Sequence, residues 1–213
     1  MAAGRVRLNG KPVVLGDRVD PDTDVLTLDG APIPVAPDIE THLVYKPVGV
    51  ISTADDPQGR PTVVDLVESA HRLYPVGRLD ADSEGLIFVS NDGELTDRVT
   101  HPRYGITKRY LAEVTGVPNK SAIRALSTGV ELEDGPARAE SARVIDTRSG
   151  SSLVEVVMVE GRNREVRRMM DAVGHEVTRL VRTAIGPITD PTLKPGESRR
   201  LRPMEIQQLL EER

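Results

Sequence analysis

The feature that most constrains the fold is a charged loop, residues 77–85, that runs directly into the apolar segment 86–89. A short, continuous apolar segment next to turn residues is typical of a strand buried in the core. Gly77 and Gly85 bracket the loop and permit tight turns of the backbone. Asp80 lies inside the loop, so a core strand would hold its carboxylate in a fixed direction. The stretch therefore predicts a buried strand that is preceded by an acid whose carboxylate is held in one direction.

Residues 77–80 also have a plainer interpretation. The carboxylate of Asp80 can bond to its own loop and do no more than stabilise a turn. Arg78 precedes Asp80 by two residues and Asp82 follows it by two. Charges this close shift one another's pKa values, which suits a functional site. Because four-residue motifs recur by chance, these residues alone favour the turn, and the rest of the chain has to decide.

Patterns along the remaining chain indicate more strands than helices. Strands are predicted over residues 42–45, 106–115, 137–146, 152–159, 176–185 and 197–201. Helices are predicted over residues 62–70, 94–99, 119–127, 163–173 and 203–212. Since hairpin connections are frequent, we expect an α+β domain whose central mixed sheet is largely antiparallel and is flanked by short helices.

The predicted helix 163–173 has the clearest two-sided pattern, with apolar positions on one face and charged positions on another. The apolar face comprises Val166, Met169, Met170 and Val173. The charged face comprises Arg164, Arg167, Arg168 and Asp171. Asn163 is predicted to cap the first turn and Gly174 to end the helix.

The first 36 residues predict two small β-hairpins. Asn9 with Gly10 and Asp29 with Gly30 form turn pairs that lie between alternating residues, a strong hairpin pattern. A linker is indicated by three prolines, Pro32, Pro34 and Pro37. We therefore expect a small N-terminal unit, residues 1–36, that is too small to be stable alone, and a main domain, residues 37–213.

Charge is unevenly distributed on a chain whose net charge is −5. The net value argues against a protein that coats nucleic acid indiscriminately. Residues 98–110 nevertheless hold four cationic side chains and no acid, and residues 161–182 hold six arginines against three acids. Such local basic segments suit contact with RNA phosphates, and they equally suit an ordinary solvated face.

Several classes of function find no support in the sequence. There is no cysteine, no apolar run long enough to span a membrane and no apolar signal segment at the N-terminus, so we expect a cytoplasmic protein with no membrane partner. Nucleotide-binding glycine loops, the nucleophile elbow and the zinc-protease motif are missing. The four histidines are too far apart for metal-ligand spacing, so we expect neither a metal nor a cofactor.

Six segments occur in an order that resembles the RsuA/RluB family of ribosomal RNA pseudouridine synthases. They are residues 46–49, 77–86, 90–95 with 101–102, 108–110, 160–169 and 179–186. The resemblance runs from about His42 to the C-terminus and implies the pseudouridine synthase fold. Residues 1–36 resemble the C-terminal half of an S4 RNA-binding domain, with the basic helical half missing.

The resemblance also implies roles for individual residues. Asp80 corresponds to the catalytic aspartate, and Arg167 to an arginine that ion-pairs with it. Tyr110 corresponds to the tyrosine that stacks on the target base, Leu180 to a leucine of the same pocket, and Arg78 joins these substrate-binding residues. The cations predicted to contact the RNA backbone are Lys108, Arg109, Arg162, Arg164 and Arg168.

The predicted reaction is site-specific isomerisation of uridine to pseudouridine in ribosomal RNA, with the large-subunit (23S) RNA as the expected partner and a monomeric enzyme. A carboxylate at Asp80 suits attack on the sugar or proton abstraction from it, and both remain open. Two other functions remain as alternatives. One is a non-catalytic RNA-binding or ribosome-assembly factor, and the other is a glycosidase that uses Asp80 and Asp82.

Overall fold

The computed structural model describes residues 4–20, 23–33 and 38–211. The chain divides into two units, Met1–Ile39 and Glu40–Arg213. Two of the three prolines predicted to form a linker, Pro34 and Pro37, lie outside the described residues.

The N-terminal unit contains a four-stranded antiparallel sheet. Its strands are β1 (Val6–Leu8), β2 (Lys11–Pro12), β3 (Leu26–Leu28) and β4 (Ala31–Ile33), in the order β2-β1-β3-β4. Both predicted turn pairs have positive φ at each position, 50° and 80° for Asn9 and Gly10 and 52° and 84° for Asp29 and Gly30. This left-handed backbone matches the twist of two-residue hairpins, which explains why these sequences form the turns.

The larger unit is built on one eight-stranded mixed sheet. Its strands are β5 (Thr41–Lys46), β6 (Tyr74–Val76), β7 (Glu84–Ser90), β8 (Lys108–Thr115), β11 (Ser141–Arg148), β12 (Ser151–Met158), β13 (Val177–Ile185) and β14 (Ser198–Arg200), while β9 (Val130–Leu132) and β10 (Gly135–Ala137) form a separate hairpin. The order is β11-β12-β8-β13-β7-β5-β14, with β6 paired to β7. Only the β13–β7 pairing is parallel among the described strands, so the α+β class and the largely antiparallel mixed sheet are confirmed.

Four helices flank the sheet in the described part of the chain. They are α1 (Gly93–Thr100), α2 (Lys120–Thr128), α3 (Glu165–Ala172) and α4 (Pro203–Glu211). Each was predicted within a few residues. The predicted helix 62–70 was wrong, because this segment forms only a 3₁₀ turn, Val64–Leu66. Valine and threonine at four of its first six positions lose side-chain freedom in a helix, which weakens the helical preference of the segment.

Two further boundaries differ from the prediction. The expected strand 137–146 is divided between the end of β10 and β11. Helix α3 begins at Glu165, two residues after the predicted start. Arg164 takes the N-cap role that was predicted for Asn163, and its backbone is left-handed, with φ of 49°. The side chain of Glu165 instead accepts a hydrogen bond from the backbone N–H of Arg162, at 3.0 Å.

Strand β7 is the centre of the fold, and all seven of its residues are buried. Ile87 and Val89 pack in one hydrophobic cluster, and Leu86 and Phe88 pack in another. Because successive side chains of a strand point to opposite faces, β7 has a core on both sides of the sheet. This double burial accounts for the continuous apolar run in the sequence.

Gly85 permits the parallel pairing of β7 with β13. Its φ is +111°, and a Cβ at this position would lie 2.3 Å from the carbonyl oxygen of Arg182. No side chain fits at that distance, so glycine is required both for the backbone conformation and for the close approach. The pairing matches Arg182 with Gly85 and thereby places Arg182 beside the loop that precedes β7.

Replacing Gly85 with alanine is therefore expected to destabilise the protein by about 3 kcal/mol or more, since backbone strain and overpacking add. In a chain of this size such a loss lowers the melting temperature by roughly 10 °C. Gly93 is a matched control, because a Cβ there meets nothing within 4 Å. Thermal denaturation should show Gly93→Ala near wild type, and equal melting temperatures for the two variants would refute the packing argument.

Candidate active site

The loop between β6 and β7 presents Asp80 on a fixed backbone. The hydroxyl of Ser52 donates to the carbonyl of Leu79, at 2.8 Å, and accepts from the N–H of Leu79, at 3.1 Å. The N–H of Ser83 donates to the carbonyl of Asp80, at 3.0 Å, which closes a turn around the acid. Leu79 itself is buried. These contacts fix the backbone on both sides of Asp80.

A cavity of about 120 Å³ opens above this loop. It brings together four of the five residues predicted to act on the substrate, Arg78, Asp80, Tyr110 and Leu180. Two of the predicted RNA-backbone cations, Arg162 and Arg164, form part of its wall. Four residues predicted for the site do not line this cavity, namely Arg167, Lys108, Arg109 and Arg168.

Tyr110 and Leu180 reach the cavity from adjacent strands. Tyr110 lies on β8, where it pairs with Arg182, and Leu180 lies on β13. Along β8 the buried side chains alternate with exposed or half-exposed ones, and Tyr110 is on the buried face. The sheet therefore fixes the aromatic and the aliphatic side chain relative to Asp80.

Arg167 does not pair with Asp80, contrary to the expectation from the resemblance. Its side chain is buried and its Nη1 and Nη2 donate to the carbonyls of Val177 and Asp82, both at 2.9 Å. Its nearest carboxylate is that of Asp82, at 3.6 Å from Nε. No described residue forms an ion pair with Asp80. The turn after Asp80 points Asp82, rather than Asp80, at helix α3.

Asp82 joins the loop to α3 through two arginines. Arg164 Nη1 donates to its carboxylate at 2.9 Å, beside the contact with Arg167. Burial of Asp82 opposes its ionisation, but the hydrogen bond from Arg164 and the charges of both arginines outweigh this and lower its pKa. Because the carboxylate of Asp82 is engaged by Arg164 and Arg167, it is not free to act with Asp80 as the second carboxyl of a glycosidase.

Two buried cations lie beneath the loop, and neither was predicted from the sequence to have a role in the site. Arg182 is buried, and its Nε donates to the carbonyl of Leu86 at 2.6 Å. Its Nη1 lies within hydrogen-bond distance of the carbonyl of Arg78, at 3.3 Å, and of the hydroxyl of Tyr110, at 3.5 Å. Arg182 therefore connects the loop that carries Asp80 with the aromatic residue of the cavity.

Lys46 is the second buried cation and has no exposed surface. Its Nζ donates to the carbonyls of Pro47, at 3.0 Å, and Val50, at 2.7 Å. Burial lowers the pKa of Lys46 to about 8, while the carboxylates of Asp80 and Asp82 act in the opposite direction. The residue is thus electrostatically coupled to Asp80. Its position in the segment 46–49, which carried part of the resemblance, was the available signal.

The predicted RNA-backbone cations divide into two groups. Arg168 binds the carboxylate of Asp134 through two hydrogen bonds of 2.8 and 2.9 Å, and Arg162 donates to Glu165 and to the carbonyls of residues 134–136. Lys108 is buried and donates to the carbonyl of Ile106 at 2.8 Å. All three cations are therefore engaged by groups of the protein itself.

Arg109 and Arg164 form the second group and remain accessible, with about half of each side chain exposed. Arg109 has a loose contact of 3.9 Å with Glu155. The structure thus retains two of the five predicted cations as surface groups that an RNA phosphate could reach.

The described residues contain no group of three or more side chains placed to hold a metal ion. Within the same ranges, none of the helices has the length and apolar character that crossing a membrane requires.

Comparison with known proteins gives a consistent result. The family model for RNA pseudouridylate synthase matches residues 40–172. An RNA pseudouridine synthase of Mycobacterium tuberculosis (strain H37Rv), described as uncharacterized, is 44% identical over 97% of this chain and 83% of its own length. The ribosomal large subunit pseudouridine synthase B of Bacillus subtilis is 39% identical over 97% of this chain and 85% of its own. A crystal structure of a pseudouridylate synthase matches with a TM-score of 0.73 and 27% identity, over 98% of this chain and 90% of that one.

Proposed function

Because the chain belongs to the RNA pseudouridine synthase family, we propose that this isomerase acts on ribosomal RNA, at a uridine of the large-subunit (23S) RNA, without a cofactor. The name of the Bacillus subtilis relative supports the choice of RNA. Ribosomal RNA as substrate means that the enzyme works in the cytoplasm, and we expect it to act there as a monomer.

The observation that carries the mechanism is the single cavity that holds Asp80, Tyr110 and Leu180. Isomerisation breaks the bond between ribose C1′ and uracil N1, turns the base and joins C1′ to C5, after which C5 loses its proton and N1 gains one. Asp80 is proposed as the carboxylate that attacks C1′ or removes a proton from C2′. Tyr110 and Leu180 are proposed to hold the base during the turn.

The size of the cavity supports a target that has left its stack. Its volume is about 120 Å³. A cavity of about 150 Å³ in another protein binds one benzene ring, so a single pyrimidine ring is the appropriate size of ligand. A base inside an RNA helix cannot reach such a site unless it is turned out of the helix.

The two buried cations support the electrostatics of the proposal. A carboxylate in an RNA site adds negative charge where phosphates must approach. Lys46 and Arg182 place positive charge beneath the same loop and offset this repulsion. A protein that only bound RNA would need no acid in this position, which favours the enzyme over the non-catalytic binding factor.

The N-terminal unit is proposed to be the β part of an S4-like domain. Residues 1–36 carry four cationic and five acidic side chains, and Arg5 forms an ion pair with Asp29. With this balance of charge we expect the unit to add little to RNA affinity.

The proposed function is tested by mapping pseudouridine in both ribosomal RNAs of cells with and without this gene. The expected result is one or a few pseudouridines in the large-subunit RNA that disappear with the gene and return with it. Unchanged maps would contradict the proposal, and a lost small-subunit pseudouridine would correct the choice of RNA.

Removing the charge of an accessible arginine and that of an engaged arginine should have different effects on RNA binding. Arg164→Gln should weaken RNA binding and reduce the slope of log affinity against log salt by about 0.7, the contribution of one phosphate contact in single-stranded RNA. Arg168→Gln is the matched control, because both terminal nitrogens of Arg168 bind Asp134, whereas Arg164 binds Asp82 through one nitrogen only. It should leave the slope unchanged and lower the melting temperature. Equal slopes for the two variants would show that the grouping of these cations is incorrect.

A further inference from the structure

A second cavity, called the flanking pocket here, adjoins the catalytic one. Its volume is about 380 Å³. The two cavities share Arg78, Tyr110 and residues 160–162 as walls. A base bound in the catalytic cavity remains covalently joined to its neighbours in the strand, so the next nucleotide has to lie within one backbone repeat of it. The flanking pocket lies at that distance because it begins at the same side chains.

The lining of the flanking pocket combines apolar and cationic groups. One part is formed by Val76, Val99 and Ile185. The charged part consists of four cations and one carboxylate, Arg78, Lys108, Arg162, Arg182 and Glu160. Apolar contact suits the faces of a nucleobase. Lys108, Arg162 and Arg182 bind groups of the protein itself, but their charges still give the pocket a positive potential that attracts the phosphate.

Another cavity that touches the same loop carries mostly negative charge. Its volume is about 550 Å³, and it also touches Arg78 and Asp80, but it is lined by Asp55 and Asp56 as well. This lining holds three carboxylates, those of Asp55, Asp56 and Asp80, against two cations, Arg60 and Arg78, whereas the flanking pocket has four cations against one carboxylate. The excess of carboxylates repels phosphates, so this acidic cavity is unfavourable for the RNA strand.

We propose that the flanking pocket binds the nucleotide directly next to the target uridine, and that the strand leaves the catalytic cavity through it rather than over the acidic cavity. The inference rests on the proposed function, since it takes the target to be a uridine in an RNA strand. It assigns the flanking pocket to recognition of a neighbouring base, so the identity of that base contributes to the choice of target.

The experiment uses the full chain and a fragment of the ribosomal RNA that carries the mapped uridine. Three versions of the RNA are compared: intact, without the base on the 5′ neighbour, and without the base on the 3′ neighbour. Thr100→Trp fills the flanking pocket from its rim, and Pro57→Trp fills the acidic cavity as the matched control. Both residues are exposed, so neither change disturbs the core.

Wild-type protein should lose affinity by about tenfold for one of the two abasic RNAs, the effect expected when one base loses its stacking contact. Thr100→Trp should lose a similar factor on the intact RNA and little more on that abasic RNA, because both changes remove the same contact. Pro57→Trp should bind all three RNAs as wild type does.

Three outcomes would each overturn the flanking-pocket proposal. The first is equal affinity of the wild type for all three RNAs, and the second is a loss for Thr100→Trp that is as large on the abasic RNA as on the intact RNA. The third is a loss of affinity for Pro57→Trp as large as that for Thr100→Trp. These outcomes are separate from failure of the proposed function. A wild-type protein that discriminates among the RNAs but forms no pseudouridine refutes the reaction and leaves the pocket supported.

Discussion

Asp80→Asn is expected to reduce pseudouridine formation by about 10⁴-fold, the order of loss seen when a group that bonds to or exchanges a proton with a substrate is removed. The amide has the same shape as the carboxylate but neither attacks ribose C1′ nor accepts a proton. Since no described residue forms an ion pair with Asp80, the substitution leaves no partner unsatisfied. The melting temperature and the RNA affinity should therefore stay close to those of the wild type.

Release of tritium from RNA labelled at uridine C5 measures this loss under single-turnover conditions. Asp55→Asn is the matched control, because Asp55 is an exposed acid in the acidic cavity, which touches the same loop. The control should retain wild-type turnover. Turnover near wild type in Asp80→Asn would remove Asp80 from the mechanism and would revive the interpretation of residues 77–80 as a simple turn.

Features that depend on local patterns were predictable from the sequence. The apolar run 86–89 identified β7, because a strand buried on both faces carries apolar residues at every position. The strand predicted over residues 106–115 is confirmed as β8, Lys108–Thr115. In both cases the determining interaction lies within one element, so its periodicity is visible in one sequence.

Features that depend on partners distant in sequence were not predictable. The guanidinium of Arg168 binds Asp134, 34 residues away, and a charge pattern does not show whether an arginine is engaged or accessible. Arg167 approaches Asp82 rather than Asp80, a distinction set by the turn that Ser52 and Ser83 fix. The burial of Lys46 was missed for another reason, because lysine is almost never fully buried and the place of Lys46 in the segment 46–49 indicates the resemblance rather than burial.

Arg182→Lys is expected to lower the single-turnover rate by about 100-fold, the loss that follows when a catalytic group is misplaced by roughly 1 Å. Lysine keeps the positive charge but cannot span the carbonyls of Leu86 and Arg78 and the hydroxyl of Tyr110 together, as the guanidinium does. The loop and the tyrosine would then lose their common support. RNA affinity should change little, because lysine keeps the positive charge that Arg182 contributes to the flanking pocket.

A double-mutant cycle with Tyr110→Phe separates this positioning role from simple destabilisation. If Arg182 acts partly through the hydroxyl of Tyr110, Arg182→Lys should cost clearly less turnover in the phenylalanine background than in the wild type, since that contact is already absent. A general loss of stability would lower turnover by the same factor in both backgrounds and would also lower the fraction of folded protein, which thermal denaturation reports. If Arg182→Lys lowers turnover by the same factor in both backgrounds and the protein stays fully folded, Arg182 supports the site only through the backbone carbonyls. Its contact with the hydroxyl of Tyr110 would then not contribute to turnover.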